Sequence, residues 1–192
     1  VSGLSEICQH RKPWAECTLD EAWRGELDAE LTQLLALREQ LDQVDKLLTQ
    51  IAKEDRRVQI LESAPGVGRK TAEVVVAFLD DPKRFKNARH VSSYGGFTPR
   101  RYQSGEMDRS GRINKRGPRR LRTALVEAAW AMLRYNEWAR TVYKRIKGNQ
   151  KTRKKQAIVA VARKLLVRCW VMLLRDEPWD SLKENVPKKK SA

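Results

Sequence analysis

Two serine–glycine steps in a strongly basic stretch are the residues whose chemistry stands out in this sequence. Ser104 precedes Gly105, Ser110 precedes Gly111, and ten residues between Phe85 and Leu121 are Lys or Arg. A serine hydroxyl becomes an effective nucleophile only when a base or a metal ion activates it. Nearby arginines can stabilise the charge that develops on a phosphate under attack. Each serine is therefore a candidate nucleophile, and the alternative is that the serine–glycine step only forms a turn. The arginines near the two serines in sequence are Arg100, Arg101, Arg109 and Arg112.

A second candidate site is the run Pro-Gly-Val-Gly-Arg-Lys-Thr, which joins two apolar segments predicted to be helical. Glycines permit a tight turn, and the helix that follows presents N–H groups at its positive end. A phosphate can bind there, with basic side chains adding charge. The pattern predicts a helix-hairpin-helix contact with a nucleic-acid backbone, with an ordinary helix corner as the alternative. The residues of this predicted contact are Gly66, Val67, Gly68, Arg69, Lys70 and Thr71.

More basic residues precede and begin a third helix. Gly117-Pro118 is typical of a helix start. Arg119 and Arg120 follow at once, where positive charge opposes the helix dipole, and this unfavourable placement points to a phosphate partner. Lys115 and Arg116 extend the predicted nucleic-acid-binding set. Periodicity predicts that one face of this helix belongs to the core: Leu121, Leu125, Ala128, Met132 and Tyr135. Three further residues are predicted to widen this face: Trp130, Leu133 and Trp138.

Charge divides the chain into two parts. The whole sequence carries +16, yet residues 1–55 hold 6 basic and 12 acidic side chains, whereas residues 56–192 hold 34 and 12. The excess therefore lies in the second part, as expected for a partner that is a polyanion. The sequence has no apolar run long enough for a membrane helix and no signal-peptide pattern, so we expect no membrane partner. Three cysteines do not make a disulfide framework, and the spacing of Cys8, His10 and Cys17 fits no common zinc site.

The expected fold is mainly α: a long coiled-coil-like helix, then a compact helical domain with a helix-hairpin-helix element and a long basic loop. Periodicity is lost over residues 95–116, which predicts that loop. The expected regions are an irregular lead-in (1–18), the helix (19–57), the helical domain (58–178) and a basic tail (179–192). The helix over 27–51 is predicted to pair with another copy or to pack on its own domain, through a seam spaced by threes and fours: Leu34, Leu37, Leu41, Val44, Leu48 and Ile51.

Four segments in order make the sequence resemble a known family. The PGVG turn, a helix, RFKNARHVSSYGGFTP and QSGEMDRSGRINKRGPRRLR resemble the carboxy-terminal domain of transposases from insertion sequences 110, 116 and 902, over about residues 58–133. The resemblance implies DNA transposition by a serine in this domain, acting with a metal-binding acidic set in an amino-terminal RNase H-like nuclease domain. It places the serine at Ser104, with Ser110 as the alternative.

The resemblance also implies partners and a cellular setting. These are DNA, a structured guide RNA from the same element, Mg²⁺ held by the nuclease domain, and a bacterial cytoplasm with action at the nucleoid. The nuclease domain is absent from these 192 residues, and no carboxylate cluster for Mg²⁺ or another metal can be assembled from them. We therefore expect part of a split or truncated transposase that binds nucleic acid without cutting it unaided. The alternative is a non-catalytic helix-hairpin-helix nucleic-acid-binding module.

Overall fold

The computed structural model describes residues 9–104 and 107–179, and for residues 101–110 it describes the backbone only. The prediction of a mainly α fold is confirmed. The described residues contain seven α-helices and one two-stranded sheet. In chain order these are α1 (Ala22–Glu54), α2 (Arg56–Glu62), α3 (Arg69–Leu79), α4 (Ala88–Tyr94), β1 (Pro99–Ser104), β2 (Met107–Ile113), α5 (Arg119–Tyr135), α6 (Glu137–Lys147) and α7 (Lys154–Arg175).

The chain divides into two compact units, the first ending at Ile51 and the second beginning at Ala52. In the first unit, two 3-10 turns (Trp14–Glu16 and Leu19–Glu21) lead into α1. The Lys12 ammonium and the Thr18 backbone N–H both donate to Glu21, and Lys12 is the main reason why the pKa of Glu21 falls to about 2. These polar contacts tie the lead-in to the 3-10 turn that directly precedes the long helix.

The predicted seam of α1 is exposed to solvent in the single chain. Its six residues are between 42% and 66% exposed: Leu34, Leu37, Leu41, Val44, Leu48 and Ile51. Leu35 and Leu47 are exposed as well. A helix whose apolar stripe stays in water gains little from that stripe unless another surface covers it.

The second unit is built around α7. This helix packs against α2, α3, α4, α5 and α6, and nine of its residues are buried, among them Leu165, Leu166 and Met172. The indole N–H of Trp170 donates to the Pro82 carbonyl at 2.8 Å. Arg168 lies between the rings of Trp138 and Trp179, 4.5 and 4.2 Å from their centroids. The first contact joins α7 to residue 82, and the second holds the chain that follows α7 against the helical core.

The prediction for the buried face of α5 is partly wrong. Leu121, Leu125, Ala128 and Met132 are buried as expected, but Tyr135 is 69% exposed and Trp130 is 46% exposed. At 3.6 residues per turn, Trp130 lies two residues from both Ala128 and Met132 and so falls on the opposite side of the helix. Tyr135 is the last residue of α5.

The stretch predicted to be an irregular loop contains the two-stranded sheet. β1 and β2 pair antiparallel, with Ser104 opposite Met107 and a register irregularity between Pro99 and Arg101. The base of this hairpin is fixed by long-range contacts: the Asn114 side chain donates to the Thr98 hydroxyl at 2.9 Å, and the Lys115 N–H donates to the Gly96 carbonyl at 3.3 Å. These contacts therefore fix the two chain ends of the hairpin to each other.

Gly117→Ala is expected to destabilise the protein by about 2–3 kcal/mol, because overpacking at this level forces the backbone to shift. A Cβ atom at Gly117 would lie 1.9 Å from the Tyr94 carbonyl oxygen. Urea unfolding followed by circular dichroism measures the change. Gly68→Ala is the matched control, since a Cβ there would meet no atom within 4 Å, and its stability should stay within about 1 kcal/mol. Equal stabilities of the two variants would contradict the contact.

Candidate nucleic-acid interface

The turn between α2 and α3 packs its first glycine against the backbone of α5. Gly66 has a φ of +93°, which favours glycine, and a Cβ there would lie 2.8 Å from the Met132 nitrogen. Val67 is buried between the helices, so it fills the space at the turn. Gly68 caps α3 with an ordinary extended backbone and open space at its Cβ position. Only the first glycine is thus required by the packing of the chain itself.

The two basic residues after this turn differ in their surroundings. Arg69 forms an ion pair with Glu73 one turn later, at 3.1 Å, which compensates much of its charge within the helix. Lys70 is exposed and lines a groove between α3 and α5. Of the two cations predicted to bind phosphate, Lys70 lines the groove and Arg69 does not.

The groove has a volume of about 570 Å³ and is lined by residues of two helices only. The first turn of each helix contributes: Lys70 and Thr71 from α3, Arg119 and Arg120 from α5. The N-cap residues of these helices are Gly68 and Pro118, whose side chains have no oxygen to accept from the first N–H groups. By contrast, Asp55, Asn87 and Asn136 accept such bonds at the starts of α2, α4 and α6.

The chemistry of this groove suits an anion with several oxygen atoms. Three cationic side chains, two threonine hydroxyls and two helix ends of positive potential line it. Thr123 was missed from the sequence, although it lies four residues after Arg119 and hence one turn further along the same face. Glu127 was also missed, and it places one negative charge at the edge of the basic lining.

The hairpin carries the two candidate serines. Ser104 is the last residue of β1, directly before residues 105–106, which lie outside the described residues, as do the side chains of Ser104, Ser110, Arg101 and Arg109. In the backbone register, Ser110 lies opposite Arg101. The two serines thus occupy different positions: one at the end of the hairpin, the other within a paired strand.

The remaining predicted cations lie on the hairpin and on its return to α5. Arg100, Arg112, Lys115 and Arg116 are all exposed, and Lys115 has a φ of +57°. None of the four lines the groove between α3 and α5. The structure therefore brings together Lys70, Thr71, Arg119 and Arg120, and leaves the other four on a neighbouring segment.

Positive charge is also dense where α6 packs on α7. Burial, and after it the nearby Arg145, Arg168 and Arg163, lower the pKa of Lys164. Like charges held this close repel one another unless an anion relieves them.

Two classes of feature are absent from the part of the chain that the structure describes. There, no three or more His, Cys, Asp or Glu side chains converge on a point that could hold a metal ion. No helix in residues 9–104 and 107–179 combines the length and apolar character needed to cross a membrane.

Comparison with known proteins gives one family. Residues 58–144 match the Transposase IS116/IS110/IS902 family. The chain is 34% identical over 145 residues to the pilin gene-inverting protein of Moraxella bovis, covering 73% of this chain and 44% of that protein. It is 32% identical over 156 residues to the transposase for insertion sequence element IS1111A of Coxiella burnetii, covering 77% and 41%.

A third relative is an uncharacterized 43.6 kDa protein of insertion element IS110 from Streptomyces coelicolor, 29% identical over 142 residues, with 74% and 35% covered. The chain spans less than half the length of these curated relatives. The match includes the α2–α3 turn, the hairpin and the groove-lining part of α5. Through residues 58–144, the chain belongs to the Transposase IS116/IS110/IS902 family.

Proposed function

We propose that this chain is the nucleic-acid-binding, serine-bearing carboxy-terminal part of a DNA transposase or recombinase. The observation that carries the proposal is the groove in which Lys70 of α3 lies with Arg119 and Arg120 of α5. The family match and the names of the relatives, a transposase and a gene-inverting protein, indicate the type of reaction. In this proposal the groove holds the DNA backbone and the hairpin presents the reactive serine.

The α2–α3 turn supports a helix-hairpin-helix mode of binding. Its second glycine, Gly68, has neither a positive φ nor a neighbour that would exclude a side chain. The absence of a Cβ there leaves the first N–H groups of α3 open to a phosphate oxygen. Contacts of this type position a protein on DNA without reading its sequence.

The reaction requires groups beyond the groove. In this proposal the Ser104 hydroxyl forms a bond to the phosphorus of a DNA phosphodiester, the phosphorus–oxygen bond to one of the two sugars breaks, and the displaced sugar oxygen leaves as a hydroxyl with the proton that the serine loses. Arginines of the hairpin stabilise the charge that develops on the phosphate. We assign the Mg²⁺ and the acidic residues that would hold it to an amino-terminal nuclease domain outside these 192 residues. We also propose DNA and a structured guide RNA as partners of the whole protein, on the resemblance alone.

The double substitution Arg119→Gln and Arg120→Gln is expected to weaken binding to duplex DNA about tenfold or more. Each phosphate contact that is lost means that fewer counterions are released from the DNA when the protein binds. The slope of log K against log salt should become shallower by about two. Fluorescence anisotropy of a labelled duplex measures both quantities. The matched control, Arg38→Gln with Lys46→Gln, removes two charges from α1 and should leave binding unchanged. A similar loss in the control would show that only net charge matters.

Ser104→Ala is expected to abolish strand exchange while DNA binding is retained, when the chain is assayed together with the nuclease domain. The reason is that the hydroxyl supplies the nucleophile, and an alanine side chain has no oxygen that could attack the phosphate. Ser110→Ala is the matched control on the same hairpin and should keep its activity. Unchanged exchange by Ser104→Ala would favour the non-catalytic binding module instead.

We further propose that α1 pairs with a second copy of the chain through its exposed seam. Leu41→Glu places a charge in the middle of that seam and should convert the dimer into a monomer, measured by light scattering after gel filtration. Leu19→Glu is the control, since Leu19 is 94% exposed and lies before the seam. A monomeric native chain at micromolar concentration would contradict the pairing.

A further inference from the structure

A second groove lies between the end of α5 and α6, away from the groove between α3 and α5. Its volume is about 430 Å³. Its lining includes the apolar side chain of Leu133, the ring of Tyr143 and three cations: Arg140, Lys144 and Lys147. None of these three cations forms an ion pair with another residue of the described chain. The groove therefore combines positive charge with an aromatic wall.

An exposed tryptophan extends this wall. The rings of Trp130 and Tyr143 have centroids 6.3 Å apart and are tilted by 54°, and Trp130 leaves 46% of its surface in solvent. An indole so exposed beside a basic groove is costly to keep in water and offers a flat face to a partner. The Arg140 guanidinium donates to the Arg134 carbonyl at 3.2 Å, which fixes a cation between the ends of the two helices.

The combination of aromatic faces and cations has a specific match among ligands. Nucleotides that are not base-paired expose the faces of their bases, which stack on aromatic side chains, while their phosphates contact Lys and Arg. A base-paired duplex hides those faces and offers mainly phosphates along its surface. We propose that the groove between α5 and α6 binds unpaired nucleotides, with Trp130 and Tyr143 stacking on bases and Lys144 and Lys147 contacting phosphates.

The position of the groove allows both surfaces to act on one nucleic acid. Thr123 in the first groove and Trp130 beside the second are seven residues apart on the same face of α5, about 10 Å along the helix. A strand that leaves a duplex held in the first groove can therefore reach the second. This inference rests on the proposed nucleic-acid binding but adds a different substrate class and a different set of residues.

The test compares single strands with a duplex. Labelled oligothymidylate, oligouridylate and a DNA duplex are titrated with the full chain. Trp130→Ala should weaken binding to at least one single strand by about tenfold, since stacking on one base contributes about that factor. Its effect on duplex binding should be less than about twofold. The two single-stranded probes distinguish DNA from RNA as the source of the nucleotides. Trp130→Phe, which keeps a ring, should restore most of the affinity.

Two controls make the result specific. Trp23→Ala removes an indole that is 54% exposed in the first unit and should leave single-strand binding unchanged. Lys144→Ala with Lys147→Ala should make the single-strand salt slope shallower by about 1.4, because each phosphate contact contributes about 0.7. Lys83→Ala with Lys86→Ala removes two exposed charges elsewhere and should not change it. Circular dichroism verifies that each variant is folded.

The outcomes separate this inference from the proposed function. If the native chain binds the duplex, and Trp130→Ala has no effect on either single strand or weakens duplex and single strands equally, the inference is wrong and the proposed function stands. If the native chain binds none of the three probes, both are wrong. If it binds single strands in a manner that depends on Trp130 but does not bind the duplex, the inference stands and the duplex groove is wrong.

Discussion

The backbone contact between Gly117 and the Tyr94–Gly96 segment is the constraint on which the rest of the basic surface depends. Gly117 packs so closely on the Tyr94 carbonyl that no side chain fits at position 117. The guanidinium of Arg122, in the first turn of α5, donates to the carbonyl oxygen of Gly117. This contact closes the segment that contains the hairpin. It therefore sets both the base from which the hairpin extends and the point at which α5 begins, with Arg119 and Arg120 in its first turn.

Local pairing decides which of the many cations can meet a ligand. Arg69 and Arg119 both open a helix within the basic part of the chain, yet Arg69 has Glu73 one turn away and Arg119 has Thr123. A carboxylate at that position satisfies the guanidinium internally, whereas a hydroxyl adds another group that can bond an anion. Charge density along the sequence thus locates the interface only coarsely, and the helical neighbour of each cation refines it.

Periodicity predicted the parts of the fold that depend on one helix at a time. The burial of Leu121, Leu125 and Met132 on one face of α5 follows from apolar spacing alone. The hairpin could not be predicted in this way, because its strands lack apolar alternation and its base is fixed by contacts such as Asn114 with Thr98. The groove between α3 and α5 could not be predicted for the same reason. Lys70 and Arg119 were each predicted to bind phosphate, but whether they lie in one groove depends on how α3 packs on α5.

The two grooves on α5 indicate a ligand for opposite electrostatic reasons. Arg119 and Arg120 stand at a helix start, where the dipole disfavours them, so their presence itself suggests an anion. Lys144 and Lys147 stand in the last turn of α6, where the dipole favours them, so their charge would be stabilising without any ligand. At the second groove it is therefore the exposed ring of Trp130, and not the charge of the lysines, that indicates a ligand. A flat aromatic face can stack on a base. In our proposals a phosphate backbone accounts for the first surface, and an unpaired nucleotide accounts for both features of the second, because its base stacks on the ring and its phosphate contacts the lysines.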